Sequence, residues 1–506
     1  MRPGIEREPE LRLELTQAEL QRVRTHPALT GLSAGEPVTH TRHSICFDTP
    51  DHRLRGAGIA LLLQSDGAGW RQTVTGNGHS RRPVAAGAVP RPRPDLEAIG
   101  DRRIRRKVER ALDRAPLEPV FETLVERTTR QLRSGAGEME LALDEGVVRA
   151  GDAQEGVCAA ELELKWGAPD CLLQAATQLF GTTSLRLADG STLERGYSLA
   201  IRPTAARTPP RRIEPPQLAS GDTCAEALTR IVESATAQIV ANRTAVLESE
   251  DPDAAHQLRI GLRRLRSALR AFRPLADTPG LRELEGRARA LARSVGELRD
   301  ADVLIDDIFA PAVAALDGNG GVARLRQALA ANRIRARERA RADLCGEQWS
   351  VLQLHLALWP RTIAGFEELA TPVTKLARSA LKKQWRKVAD SGRRLGELTV
   401  EQRHAMRKDL KSLRYAAEFF ATLFPAQAAR RFIKEVRGLQ EAFGYLNDVA
   451  AAERLVAICE AHCGADLDAR RVAGFVLGWH NAEAARAWKD AHKGWQRLAR
   501  GPRFWA

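Results

Sequence analysis

Apolar and polar positions alternate with a period of two along the first two hundred residues, and beyond residue 220 the period lengthens to that of a helix. The alternation runs through residues 11–15, 44–48, 58–64, 70–75, 119–132, 138–143 and 159–165, and it predicts strands there. So many strands with so little helix between them predict a largely antiparallel sheet or barrel. Residues 16–26 and 95–115 break the pattern and read as helices, the second carrying the basic cluster Arg102, Arg103, Arg105, Arg106 and Lys107. At residues 204–217 the pairs Pro209-Pro210 and Pro215-Pro216 interrupt both periods, which predicts a semi-rigid extended spacer. Its Arg207, Arg211 and Arg212 either keep it soluble or extend a basic track.

From residue 222 the spacing is helical. Asp251 ahead of Pro252 reads as an N-cap before the first helical position, and Thr399-Val400-Glu401-Gln402 as a capping box. The segment after each cap is a version of the other. At an offset of 148 residues His256 falls on His404, Arg259 on Arg407, Arg263 on Lys411, Leu265 on Leu413, Arg266 on Arg414 and Phe272 on Phe420 (404 − 256 = 148). The register then survives a long gap, with Gly296, Leu298 and Asp300 falling on Gly444, Leu446 and Asp448. A fixed period signals repeated architecture. The fold class that follows is α+β multidomain: residues 1–203 an antiparallel β-tunnel with a few helices, 204–217 a Pro/Arg-rich linker, and 218–506 an all-α domain of two repeats, about 218–360 and 361–506.

Composition narrows the picture. With 506 residues and 43% hydrophobic content, the chain can bury proper cores in two to four domains. No run approaches the roughly 18 apolar residues of a membrane span, and the first residues lack the pattern of a secretory signal. A soluble cytoplasmic protein is expected. The seven cysteines form no paired framework, which suits a reducing compartment. Cys459, His462 and Cys463 read as buried helix residues sooner than as part of a metal site. Residues 1–220 hold 31 Lys+Arg against 29 Asp+Glu, which leaves 78 − 31 = 47 and 64 − 29 = 35 for the remainder. Nearly all of the +14 net charge therefore lies in the helical part, where it suggests a polyanionic partner.

The positions of these cations are more telling than their number. His256, Arg259, Arg263, Arg266 and Arg270 are spaced 3, 4, 3 and 4 along one helix face, beside an apolar seam of Leu258, Leu262, Leu265 and Leu269. His404, Arg407, Lys411 and Arg414 repeat the arrangement beside Met406, Leu410, Leu413 and Ala417. A solvated basic face explains one such helix. Like charges at these spacings repel by a few tenths of a kcal/mol per pair, yet both copies carry them. Asp300, Asp302 and Asp448 are placed to offset part of this charge, and an interhelical pair made by Arg299 and Asp300 is the structural alternative. The two histidines either donate to a phosphate when protonated or hold helices together.

In the strand-rich part, Glu8 and Glu10 with Arg12, and Glu161 and Glu163 with Lys165, each set two carboxylates and a cation on one face of a strand. Inside a tunnel such a face is an oxygen-ligand site for Mg²⁺ or Mn²⁺; outside, it is solvated charge.

These acidic strands, together with Phe47-Asp48-Thr49-Pro50, Gly58-Ile59-Ala60-Leu61, Trp70-Arg71-Gln72-Thr73 and Glu194-Arg195-Gly196-Tyr197, resemble the CYTH family of triphosphate tunnel metalloenzymes over residues 1 to about 202. The resemblance implies a tunnel of about eight strands with Mg²⁺ or Mn²⁺ at Glu8, Glu10, Glu161 and Glu163, and triphosphate at Arg12, Arg127 and Arg186; Asp144 also fits the pattern. The chain departs from it at Leu62, Gln64, Thr75 and Thr192, and after Arg81-Arg82, where the family places phosphate-gripping cations. Losing one electrostatic donor costs about 10²-fold or more in turnover, so an impaired tunnel is expected.

The duplicated His-x-x-Arg-x-x-x-Arg/Lys segments, with Leu-Arg-Asp and Leu-Asn-Asp, resemble the CHAD family from about residue 218 to 500. That resemblance implies two similar four-helix bundles that bind inorganic polyphosphate or another phosphate polyanion without a cofactor, with polyphosphate granules as a candidate address. Single-strand nucleic-acid binders add aromatic platforms for bases, and a chain with 5% aromatic content, whose Trp349, Trp359 and Trp385 lie apart from the stripes, does not suggest one. Two functions stay open: a polyphosphate-binding protein, and a Mg²⁺-dependent triphosphatase whose helical part recruits substrate.

Overall fold

The computed structural model describes residues 10–67, 69–76, 85–135, 137–183, 186–187, 192–201, 209–314, 316, 320–363 and 366–505. It divides into two compact units, Met1–Ala206 and Arg207–Ala506.

The first unit is an antiparallel sheet of β1 (Glu10–Glu14), β2 (Val38–Asp48), β3 (Ile59–Ser65), β4 (Trp70–Gly76), β5 (Ala85–Val89), β6 (Glu118–Ser134), β7 (Gly137–Ala150), β8 (Ala153–Trp166) and β9 (Arg186–Leu187), in the order β5-β4-β3-β2-β6-β7-β8-β1-β9. Side chains from β3 and from β1, far apart in that order, line one cavity, so the sheet curls around it. Every expected strand is present and most are longer than the alternation suggested. The helix Gln17–Arg24 begins at a capping box made by Thr16 and Glu19. The helix Arg102–Leu112 begins at Asp101, whose carboxylate accepts from two backbone amides, so it is shorter than expected. Along β1 the alternation is functional: Leu11 and Leu13 are buried on one face, and Glu10, Arg12 and Glu14 share the other.

The second unit is helical throughout. The helices Pro252–Phe272 and Val400–Phe420 are 21 residues each and begin and end at the same offset, 400 − 252 = 420 − 272 = 148. Both expected caps are made: Asp251 accepts from the Asp253 amide, and Thr399 and Gln402 form a capping box. The apolar seams are buried, with Leu258, Leu262, Leu265, Leu269, Met406, Leu410, Leu413 and Ala417 all fully enclosed. Gly261 lets the helix Cys224–Glu248 cross closely, since a Cβ there would lie 2.9 Å from the Ile239 side chain.

Equivalent residues of the two copies meet. Thr223 bridges Pro372, the Cys224 amide donates to the Thr371 carbonyl at 2.8 Å, and the Phe272 and Phe420 rings lie 6.2 Å apart. Thr223 and Thr371 are themselves 148 apart (371 − 223 = 148). A two-fold relation brings like against like in this way.

The second half of the proline-rich segment is docked on the helices instead of standing free as a spacer. Asn242 bonds both the amide and the carbonyl of Arg211, at 2.9 and 2.7 Å. Ser234 donates to the Glu214 carbonyl at 3.0 Å, and Leu218 exchanges bonds with Thr422 while its side chain enters the core. The prolines supply no amide donors, so fixed side chains satisfy the segment's remaining backbone groups.

Candidate functional sites

A cavity of about 190 Å³ opens inside the sheet unit. Antiparallel pairing of β1 with β8 sets Arg12 against Glu161, and β6 with β7 sets Arg127 against Asp144. Arg12 pairs with Glu10 and donates to one oxygen of Glu161 at 2.7 Å. Arg127 grips Asp144 with two bonds of 2.7 Å and donates to the other Glu161 oxygen at 3.0 Å. Burial works against the ionised form of Glu161, but Arg12 and Arg127 outweigh it and hold its carboxyl below the usual range. Burial likewise opposes the charged Arg127, and Asp144 and Glu161 more than compensate, so its proton is held above the ordinary value.

This arrangement fits poorly with a divalent cation. Both oxygens of Glu161 and both of Asp144 accept from guanidinium groups, and no cluster of three or more acidic, histidine or cysteine side chains set to hold a metal occurs among the described residues. Lys165 turns back to Glu163 at 2.7 Å. Glu8 lies outside the described residues, as do the Arg186 side chain and the Arg81-Arg82 segment. Of the positions where phosphate-gripping cations are replaced, Leu62, Gln64 and Thr192 line the cavity. Thr75 is half-buried opposite Ala60 and is not among the lining residues.

Arg42 was not singled out by its sequence context. It enters the cavity wall from β2 and is half-buried. Burial, and then Arg127, push its guanidinium below the ordinary value.

Other residues of the family-like motifs hold the fold together. The buried Asp48 accepts from the amides of Thr49, Leu54 and Arg55 at 2.7–3.0 Å and from the Tyr197 hydroxyl at 2.7 Å. Gly196 leaves the space that Phe121 fills, since a Cβ would lie 2.3 Å from that ring. The Phe-Asp-Thr and Glu-Arg-Gly-Tyr segments are thus two halves of one buried lock.

In the helical unit the two basic stripes converge. Burial depresses the Lys411 ammonium to about 6, and Arg263, Arg407, Arg259 and Arg414 add to the depression in that order. Two of these cations come from the first copy and two from the second. Arg263 is likewise held below its ordinary value by burial, with Arg259, Arg414 and Arg270 contributing. Tyr415 sits between the copies, its ring 5.7 Å from the Arg263 guanidinium and 4.7 Å from that of Arg414.

Asp300 and Glu418 pair with two members of this cluster. Arg259 donates to Asp300 at 2.9 Å, and Arg414 to Glu418 at 3.1 Å and to Gln440 at 2.9 Å. The expected pair of Arg299 with Asp300 is not made; Arg299 donates to Asp307 at 3.3 Å. Asp302 does not offset the stripe either, because it is fully buried, where burial raises its carboxyl to about 6. The Asp448 side chain lies outside the described residues. His256 is pushed below its ordinary value by burial and then by Arg299, with Arg259 and the linker's Arg212 adding to the effect, so it is mostly neutral near pH 7. His404 is half-buried on the matching turn.

Arg266 and Arg270 continue the seam away from Lys411, toward Arg289 and Glu285. Arg264, between stripe residues in sequence, is buried and pins the linker through the Ile213 carbonyl at 2.8 Å and Gln238 at 2.7 Å. Trp349, Trp359 and Trp385 are buried in the helical core, and Cys459 and Cys463 in a second cluster.

The CYTH domain model matches residues 6–197 and the CHAD domain model residues 230–457. Among solved structures, the CHAD domain from the plant Ricinus communis is 26% identical, with 58% of this chain and 99% of that chain covered and a TM-score of 0.52. PptA from Streptomyces chartreusis is 16% identical over 54% of this chain and 100% of that one, with a TM-score of 0.41. HpAC1 from Hippeastrum, for which a dominant triphosphatase activity is described, is 18% identical over 38% of this chain and 96% of that one, with a TM-score of 0.28. The chain is therefore a CYTH–CHAD domain protein, with a tunnel-forming sheet followed by a duplicated helical domain.

Proposed function

We propose that the protein binds inorganic polyphosphate through its helical unit, and that its sheet unit is a weakened relative of the triphosphate tunnel enzymes. The observation that carries this reading is the convergence of Arg259, Arg263, Arg407, Lys411 and Arg414 from both repeats on one place, where burial and the arginines depress the Lys411 ammonium and where Arg263 is held below its ordinary value. Gathering cations while also removing water from them is unfavourable in the free protein. A polyanion that enters among them relieves both terms. A polymer of phosphate carries charge at every unit and no bases, so a fixed array of guanidinium and ammonium groups suffices and no exposed aromatic platform is needed.

The sheet unit retains the acidic strands of its family, but its carboxylates and arginines neutralise one another. Phosphoryl transfer rests on positioning and on stabilising charge in the transition state, and the cavity offers hydrophobic or neutral groups at Leu62, Gln64 and Thr192.

The test incubates the full chain with polyphosphate, triphosphate, DNA and RNA, with Mg²⁺ present, and measures retention and phosphate release at several salt concentrations. Retention of polyphosphate that weakens with salt, without release, is expected. Release of phosphate from triphosphate at about 1 s⁻¹ or faster, an ordinary enzymatic rate, and its loss in Glu161→Ala would overturn the binding assignment in favour of a hydrolase. Tighter retention of DNA or RNA would also overturn it.

A further inference from the structure

The cavity of the sheet unit has one feature that weakened triphosphate chemistry leaves unused. Its lining holds four arginines, Arg12, Arg42, Arg127 and Arg195, and three carboxylates, Glu14, Asp144 and Glu161. Arg12 and Arg127 are held by Glu161 and Asp144, and Arg195 by Glu155 and by Glu14 at 3.8 Å. Among the described residues the Arg42 side chain has no hydrogen-bond or ion-pair partner, although it is half-buried and lines the same space. Its neighbours are suited to an anion. Ser44, two residues along β2, shares its face, and Ser44 is paired across the sheet with Thr123. Ser44 and Thr123 are both buried, and Gln64 lies within 3.5 Å of Ser44. Much of the remaining wall is apolar, formed by Leu62, Phe121, Val125, Val157 and Leu193.

We propose that this cavity is a binding site for a small phosphate monoester with a short apolar body, its phosphate held by Arg42 with Ser44, Thr123 and Gln64. A guanidinium offers two parallel donors to a phosphate or a carboxylate alike. The neutral donors around it favour the phosphate, which has a third terminal oxygen to satisfy. Charge sets the upper limit. A phosphate monoester carries about −1.5 to −2 near pH 7, most of which the one unpaired guanidinium of Arg42 and the neutral donors can answer, whereas a triphosphate brings several charges more. Size permits it: the cavity of about 190 Å³ is many times the roughly 10–15 Å³ that one water needs, enough for a phosphate and a ring or a few carbons. The apolar wall at Leu62, where the CYTH pattern has a cation, then becomes the contact for the ester's body.

Calorimetric titration of the full chain with phenyl phosphate, benzoate, inorganic phosphate and triphosphate tests the assignment. Phenyl phosphate is expected to bind tightest through this site, with a loss of about tenfold or more in Arg42→Gln and a smaller loss in Ser44→Ala, each variant first shown to be folded by circular dichroism. Arg42→Lys, which keeps the charge without the fork, should retain part of the binding if Arg42→Gln fails to fold. A chain with the helical stripes reversed by Arg259→Glu, Arg263→Glu, Arg407→Glu and Lys411→Glu should bind phenyl phosphate as the parent does, which separates this site from the polyphosphate site. Absence of phenyl phosphate binding at millimolar concentration, binding indifferent to Arg42, or Arg42-dependent binding that is tighter for benzoate or triphosphate would each overturn the proposal.

Discussion

The two units use the same side chain in opposite settings. In the cavity of the sheet unit Arg12, Arg127 and Arg195 each face a carboxylate at bonding distance, and among the described lining residues Arg42 is the arginine without one. In the helical unit Arg263 and Lys411 face other cations, while Asp300 pairs with Arg259 and Glu418 with Arg414. A count of basic residues does not separate these cases. What separates them is whether the fold brings charges of opposite or of like sign together, and this decides whether a cation is spent on stability or left available to a ligand.

The largest effect expected from this contrast is on binding. Replacing Arg259, Arg263, Arg407 and Lys411 by Glu should weaken polyphosphate retention by at least about 100-fold, because a hydrogen bond to a charged group is worth roughly 1.5–3 kcal/mol and 1.4 kcal/mol is tenfold. Filter retention measures the loss, and unchanged helix content in circular dichroism shows that folding is not its cause. Equal retention by the variant would break the comparison.

Stability should respond in opposite directions in the two units. Arg127→Ala leaves Asp144 and Glu161 without their main partner and should destabilise the sheet unit by about 1–3 kcal/mol. Lys411→Met removes an amine that must give up its proton to be buried among cations, and it should stabilise the helical unit by about 1 kcal/mol, roughly 2–4 °C in melting temperature. Thermal unfolding of the full chain, followed by separate probes for β and helical structure, reads both signs.

The pH dependence follows from Lys411. Its folded value of about 6 lies below the ordinary lysine value, so the unfolded chain binds more protons between those limits, and this group's contribution to stability rises with pH across that window. Binding has the opposite slope. A polyanion restores the proton, so affinity should fall as pH rises above about 6, with proton uptake on binding at pH 7–8. Calorimetry in buffers of different ionisation enthalpy measures the uptake, and Lys411→Arg, which stays charged, should abolish it. The smallest effect expected is in Asp300→Asn. It frees Arg259 from a partly exposed pair worth about 0.2–1 kcal/mol and should strengthen binding a few-fold at most.

The sequence made some of this legible and hid the rest for identifiable reasons. Period-two alternation located the strands because one face of each is buried, and the caps with the 148-residue offset located the starts of both stripe helices. The helix Pro169–Phe180 was missed: its apolar residues cover much of its surface, and its N-cap is Ala168, which makes no side-chain cap. Periodicity shows which residues share a helix face but not what that face meets, so the convergence of the stripes from the two copies could not be read. The same limit applies to Arg264, which differs from its neighbours only in facing the linker. Arg42 had a faint signal, a cation two residues from Ser44 on a strand, but a lone arginine on a half-exposed strand is common. The docking of Arg211 and Glu214 depends on Asn242 and Ser234, which nothing in a proline-rich stretch announces.

The central claim is that the two repeats build one polyanion site. A double-mutant cycle between Arg263→Ala in the first copy and Lys411→Ala in the second tests it most directly, with polyphosphate affinity and stoichiometry read by calorimetry on the full chain. One shared site predicts one polymer-binding event per chain, a loss in each single variant, and a double variant whose loss departs from the sum by at least about 0.5 kcal/mol, as contacting residues do. Two binding events, each sensitive to one substitution only, or strictly additive losses, would contradict it.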